Sequence, residues 1–137
     1  MPLIVRVDHE LRLIILAGYG ILTDDDMFEY QRVYATRNDT IGYDELVDMT
    51  HVTEIALPST DRVGDLATEA AGKDFVRGGT KLAIVAPGDL AYGLGRMFQM
   101  RRELDVRTTK TVGVFRTMAE ATAFLRLDHP PEPPRPD

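Results

Sequence analysis

Among the three histidines, His51 lies where a site could form, since His9 sits in a short polar break near the start and His129 in the last few residues. With Asp48 and Glu54 it makes an Asp-x-x-His-x-x-Glu string. Imidazole and carboxylates are sensible ligands for a divalent metal. Three ligands within seven loop residues need a special turn, so solvated loop polarity is the simpler reading and no metal is expected. The hydroxyls near His51, on Ser59 and Thr60, read as helix caps. No Gly-x-Ser-x-Gly elbow is present. With no cysteine in the chain, thiolate metal sites, thiol nucleophiles and disulfides are excluded. Catalytic residues and cofactors are therefore expected to be none.

The segment Pro87-Gly-Asp-Leu-Ala-Tyr-Gly-Leu-Gly-Arg96 follows an apolar run and opens a helix. In open α/β sheets such helix starts bind anions. Neither Gly-x-Gly-x-x-Gly nor Gly-x-x-x-x-Gly-Lys is spelled here, and Asp89 would repel a phosphate, so Asp89 reads as the N-cap. Gly93 and Gly95 cost about 1 kcal/mol each in helix propensity, which suggests close approach by a neighbour or a ligand. Leu90, Leu94, Met97 and Leu104 form the apolar stripe of this helix. Tyr92, Arg96 and Gln99 point away from it, with Phe98 and Met100 on opposite flanks. Met and aromatic residues suit a core, an interface or a ligand wall equally.

The remaining elements follow from periodicity. Leu3, Val5 and Val7 alternate with Ile4, Arg6 and Asp8, and Leu11 to Leu16 is nearly all apolar apart from Arg12, so these two strands are expected to form an antiparallel hairpin. Gly18-Tyr19-Gly20 permits a sharp exit. Thr23, followed by Asp24, Asp25 and Asp26, opens a helix with Met27, Tyr30 and Tyr34 on one face beside Val33. Asn38-Asp39 and Gly42 end it. Glu45 to Met49 is a short strand, followed by a loop through Pro58. The next helix carries Val63, Leu66, Ala67 and Ala70 at i, i+3, i+4, i+7 and stops near Gly72, before a Gly78-Gly79 turn. Lys81 to Ala86 is a strand apolar on both faces, as in a parallel sheet. Thr111 to Phe115 is the last strand, and Thr117-Met-Ala-Glu120 is a capping box for a final helix.

The order β-β-α-β-α-β-α-β-α predicts an α/β fold: a mainly parallel five-stranded sheet with an antiparallel first strand. One domain spans residues 1–127. From 128 to 137 prolines dominate and a disordered tail, packed against nothing, is expected.

The net charge of −6 argues against nucleic-acid binding. Residues 96–116 nevertheless hold 6 Lys/Arg against 2 Asp/Glu, whereas residues 1–95 hold 8 against 16. Arg101 and Arg102 near a helix C-terminus explain part of this island; an anionic ligand or acidic partner is the other reading. No run approaches the ~18 apolar residues of a membrane span, and the absence of cysteine is compatible with a cytoplasmic location.

Three stretches carry a family resemblance: Asp48-Met-Thr-His-Val52, Ala83-Ile-Val-Ala86 leading to Tyr92-Gly-Leu-Gly-Arg-Met-Phe98, and Val114-Phe-Arg-Thr-Met-Ala-Glu-Ala121 with Phe124-Leu125. With the element order, they resemble the SpoIIAA-like bacterial proteins over about residues 3–127. That family is related in fold to STAS domains and more loosely to CRAL-TRIO lipid-binding domains. Many STAS proteins are anti-sigma-factor antagonists with a phosphorylated serine in an Asp-Ser-Ser-Gly motif. The corresponding stretch here is Ala56-Leu-Pro-Ser-Thr-Asp61, which lacks the motif, so no phospho-switch is expected.

The resemblance implies a non-enzymatic STAS-like binding or regulatory domain, expected as a homodimer. Its binding surface would comprise Thr50, His51, Ser59, Thr60 and Gly88 at the strand ends, with Tyr92, Arg96, Met97 and Met100 on the third helix. The alternative is a carrier of a small apolar or amphipathic ligand held near Tyr92 and Met97. An enzyme is the third reading.

Overall fold

A computed structural model describes residues 3–34, 37–74 and 79–136. Strand β1 (Leu3–Asp8) pairs antiparallel with β2 (Leu13–Thr23), Leu3 opposite Gly18 and Asp8 opposite Leu13. The turn between them bends at Arg12, with φ of 53°, and Asp8 accepts the Leu11 amide at 2.9 Å. Parallel pairing then adds β3 (Asp44–Ala56), β4 (Lys81–Val85) and β5 (Thr111–Phe115), so the sheet runs β1-β2-β3-β4-β5. The helices are α1 (Asp24–Tyr34), α2 (Asp61–Gly72), α3 (Asp89–Leu104) and α4 (Met118–Phe124), with a short 3₁₀ turn at Asn38–Thr40. The expected fold class is the one observed. Gly79 turns with φ of 79°; Gly78 lies outside the described residues.

A strand order that never reverses has a direct consequence. Right-handed crossovers that all step the same way place every crossover helix on one face. Accordingly α1, α2 and α3 pack with Ile14, Leu16, Val47, Ile84 and Val114 in the main core. The opposite face presents Leu13, Ile15, Leu46, Ala83 and Val85, and α4 covers them through Ala121 and Leu125. Ile14 and Leu16 are fully buried, each worth roughly 1.5–3 kcal/mol in burial.

Two helix starts are as the sequence indicates. Thr23 Oγ1 accepts the Asp26 amide at 3.2 Å while Asp26 accepts the Thr23 amide at 2.9 Å. Thr117 Oγ1 accepts the Glu120 amide at 3.3 Å and donates to Glu120 Oε1 at 2.9 Å. Thr117→Ala should lower stability by about 1 kcal/mol, read as a fall in the urea midpoint at unchanged slope.

Several expectations need correction. The Gly18-Tyr19-Gly20 stretch is no exit: β2 continues to Thr23, because β3 offers ladder partners as far as Ala56. The register slips between Ala17 and Tyr19 and again between Gly20 and Ile21, where β3 supplies the extra residues. Gly20 takes φ of 72° at this irregularity, a conformation that favours glycine. β3 is therefore 13 residues long, and Thr50, His51 and Glu54 lie in it and not in a loop. In α1 the buried residues are Phe28, Tyr30 and Gln31, while Val33 is exposed.

The phase of α3 also differs. Leu90 and Leu104 are exposed, and the buried residues are Gly95, Phe98 and Arg102. Gly95 lets the helix sit close to the sheet: a Cβ there would come 3.0 Å from Val114 Cγ1. Gly93, by contrast, faces open space. The N-cap is Gly88 in extended conformation and Asp89 is the first helical residue, so the helix starts one position before the expectation.

The proline-rich end does pack. Pro131 is buried. Arg6 Nη2 donates to the Glu132 carbonyl and Tyr19 Oη to the Pro134 carbonyl, both at 2.6 Å. Arg6 stands opposite Ile15 in the β1/β2 ladder, and Tyr19 shares the parity of Leu13 and Ile15, so the segment lies over the face that α4 leaves uncovered. Proline offers no backbone N–H, so the chain binds here through carbonyls that sheet side chains can reach.

Candidate functional site

Between the sheet and helices α1, α2 and α3 lies a cavity of about 130 Å³. Its walls are mostly apolar: Leu22, Met27, Val63, Leu66, Ile84 and Leu94 contribute, with Phe98 beside them. These side chains come from all three helices and the face of the sheet they cover. The cavity exists because of the small residues on the inner faces of the helices. Ala70 on α2 and Ala91 on α3 stand where larger side chains would fill the space.

The polar wall residues fall into two groups. One lies where the parallel strands begin and the helices end. There Lys110 Nζ donates to Glu45 Oε1 at 2.6 Å and to Thr80 Oγ1 at 2.7 Å, and Tyr30 donates to Glu45. Arg102 Nη2 reaches both oxygens of Asp74 at 2.7 and 2.8 Å, and Asp74 also accepts the amides of Thr109 and Lys110. Asp74 and Arg102 are each 2% exposed. Buried charges are tolerated only when paired and hydrogen-bonded in this way.

The second group stands at the N-termini of α1 and α2. Arg62 Nε donates to Asp24 at 2.7 Å, and its guanidinium covers the Phe28 ring at 4.5 Å. The Arg62 hydrogen bond holds the Asp24 carboxyl below the usual carboxylate range. A carboxyl with a lowered pKa contributes stability above its unfolded value near 4, lost as pH falls through the folded value. This clasp between α1 and α2 is thus intact at neutral pH.

One residue of the wall carries an unmet polar atom. Gln31 is 9% exposed and lines the wall. Its Nε2 donates to the Leu66 carbonyl at 3.4 Å, but its Oε1 is buried without a partner among the described residues. Arg102 Nε is buried and unpartnered as well.

None of the nine residues anticipated for binding lines this cavity. Thr50 is turned onto Asp48, donating to Oδ1 at 2.5 Å. His51 stacks on Tyr19, its partner in the β2/β3 ladder, with ring centroids 5.3 Å apart. Glu54 is exposed. Among the described residues no three His, Asp or Glu side chains are grouped to hold a metal ion. Ser59 and Thr60 are exposed and cap α2 through their carbonyls, which accept the Arg62 and Val63 amides; the Thr60 hydroxyl makes no cap bond. The Gly88 carbonyl accepts the Tyr92 amide at 2.9 Å.

On α3, Tyr92 is half-buried beneath the Arg116 guanidinium, 4.1 Å from its ring centre. Arg96 bonds Gln99 at 2.6 Å. Met97 packs partly on the main core, whereas Met100 is 59% exposed. The space anticipated near Tyr92 and Met97 is lined on α3 instead by Ala91, Leu94, Gly95 and Phe98.

Four of the six cations of residues 96–116 are held in ion pairs. Arg102 and Lys110 are internal, Arg107 bonds Asp105, and Arg116 bonds Asp89. Arg107 holds the Asp105 carboxyl down to about 2. No helix among the described residues is long and apolar enough to cross a membrane.

No family model and no curated protein matches the chain. A solved structure does: an uncharacterized protein of the DUF3478 family from Shewanella loihica PV-4, described as having a SpoIIAA-like fold. It aligns with a TM-score of 0.53 and 17% identity, covering 90% of this chain and 93% of that one. The fold is SpoIIAA-like. At this identity the likeness speaks for architecture alone. The SpoIIAA-like sheet has no point where strand order reverses, so it lacks the crevice in which open α/β sheets usually seat ligands. The apolar space described above lies instead beneath the helices.

Proposed function

We propose that the protein binds a small amphipathic molecule in the cavity between the sheet and α1, α2 and α3, acting as a carrier or sensor and not as a catalyst. The observation that supports this reading is the cavity itself, an apolar space with a polar end inside a domain of ordinary size. Interiors are normally packed without such voids, and each unfilled volume reduces stability. The polar groups at its end are engaged with one another, Lys110 with Glu45 and Arg102 with Asp74, which suits holding a molecule more than transforming it. A STAS-like regulatory role fits the same reading if occupancy is what the domain reports.

The test is to fill the space. Ala70→Phe places a ring in the cavity from the α2 side. Wild-type protein should show para-xylene-dependent shifts of cavity-lining amides in heteronuclear NMR. The Ala70→Phe protein should remain folded and bind at least ten-fold more weakly. Equal binding by both proteins would place the ligand elsewhere and overturn the proposal.

A further inference from the structure

The outer face of α3 carries a pattern of its own. Leu90, Gly93, Met97, Met100 and Leu104 follow one another at steps of three, four, three and four residues, the spacing of a coiled-coil seam. Leu90, Gly93, Met100 and Leu104 are exposed and Met97 is half-buried. The buried residues of the helix, Gly95, Phe98 and Arg102, fall outside the seam. From this seam we infer that two copies of the chain associate through α3, with the two helices antiparallel and related by a two-fold axis. The inference is independent of what the cavity holds.

Shape supports a second copy as the occupant. In an antiparallel pair each layer joins the two alternating seam positions. Setting Met97 against Met100 of the second copy therefore sets Gly93 against Leu104 of the second copy. A Cβ on Gly93 would meet nothing, so the seam is hollow there. Leu104 is 74% exposed and supplies the projection that fills the hollow. Two-fold symmetry makes each of these contacts twice, with the adaptable methionine side chains at the centre.

Charge fixes the direction. Arg96 and Glu103 flank the seam on one side and are both exposed. Arg96 bonds Gln99, and no ion pair holds either charge among the described residues. In the antiparallel register Arg96 stands beside Glu103 of the second copy, and symmetry gives this pair twice. A parallel register would set Arg96 against the exposed Arg101 of the second copy at both flanks, a like-charge contact.

One helix of 16 residues from each copy makes a small interface, below about 1,200 Å², of the weak and reversible class. Association with a dissociation constant on the order of 10 µM is expected. Sedimentation velocity of the full chain provides the test. The wild-type protein should become dimeric as its concentration rises to about 300 µM. Arg96→Glu and Glu103→Arg each bring like charges together twice, and each should weaken association roughly ten-fold or more. Both positions are exposed, so both variants should keep the wild-type circular dichroism. An equimolar mixture of the two variants should dimerise as the wild type does, because residue 96 of each copy then meets an opposite charge at residue 103 of the other. Wild-type protein that stays monomeric at about 300 µM would overturn the inference and leave the seam to a helix of another protein. Single variants that dimerise as well as the wild type, or a mixture that stays monomeric, would overturn it too.

Discussion

Replacing Arg102 by methionine is expected to destabilise the protein by about 3–5 kcal/mol, the usual loss when one partner of a buried ion pair is removed. The reason is what stays behind. Asp74 is 2% exposed and would keep its charge with two backbone amides, from Thr109 and Lys110, as partners, but without the guanidinium that spans both oxygens. Methionine approximates the length and apolar volume of the arginine stem, so packing on Phe98 is largely retained. The control is Arg107→Met. That side chain also bonds an aspartate, Asp105, but is half in solvent, and exposed pairs contribute about 0–1 kcal/mol. Urea midpoints of the two variants should therefore differ widely. A loss below about 1 kcal/mol for Arg102→Met would show that water reaches the pair.

Removing residues 128–137 is the second large change, with an expected loss of about 2 kcal/mol. Two hydrogen bonds are lost, from Arg6 to Glu132 and from Tyr19 to Pro134, each worth about 1 kcal/mol. The burial of Pro131 adds to this. Tyr19→Phe deletes only the hydroxyl and should lose about 1 kcal/mol, with no further loss from that bond when combined with the truncation. A truncated protein with the wild-type thermal midpoint would mean that the segment is not held against the sheet in solution.

Both expectations concern features the sequence conceals, and for related reasons. Periodicity reads apolar letters. In β4 and β5 the buried side chains are apolar and the element limits are legible to within a residue. In α3 the buried face includes Gly95 and Arg102, so the stripe of large apolar residues, Leu90, Leu94, Met97 and Leu104, contains no fully buried residue: Leu94 and Met97 are half-buried and the two ends are exposed. An arginine becomes a core residue only because Asp74, 28 positions away, meets it. No local pattern encodes that meeting. Likewise the two glycines of β2 signal a turn until β3 is known to run beside them. The cavity was legible only as a class of possibility. Its walls come from residues far apart in the chain, and Gln31 looks from the sequence like any polar residue of a surface helix. Composition does indicate that the last residues form no helix or strand; it does not show that part of one sheet face lies bare without them.

That bare face has a consequence during synthesis. Tyr19 and Pro134 are 115 residues apart. A ribosome adding about 5–20 residues per second makes the second roughly 6–23 s after the first. Throughout that interval the hairpin of the first two strands is exposed to the cell on the side its last-made partner will cover. Folding of this layer thus follows the order in which the chain is made, with the earliest strands waiting longest.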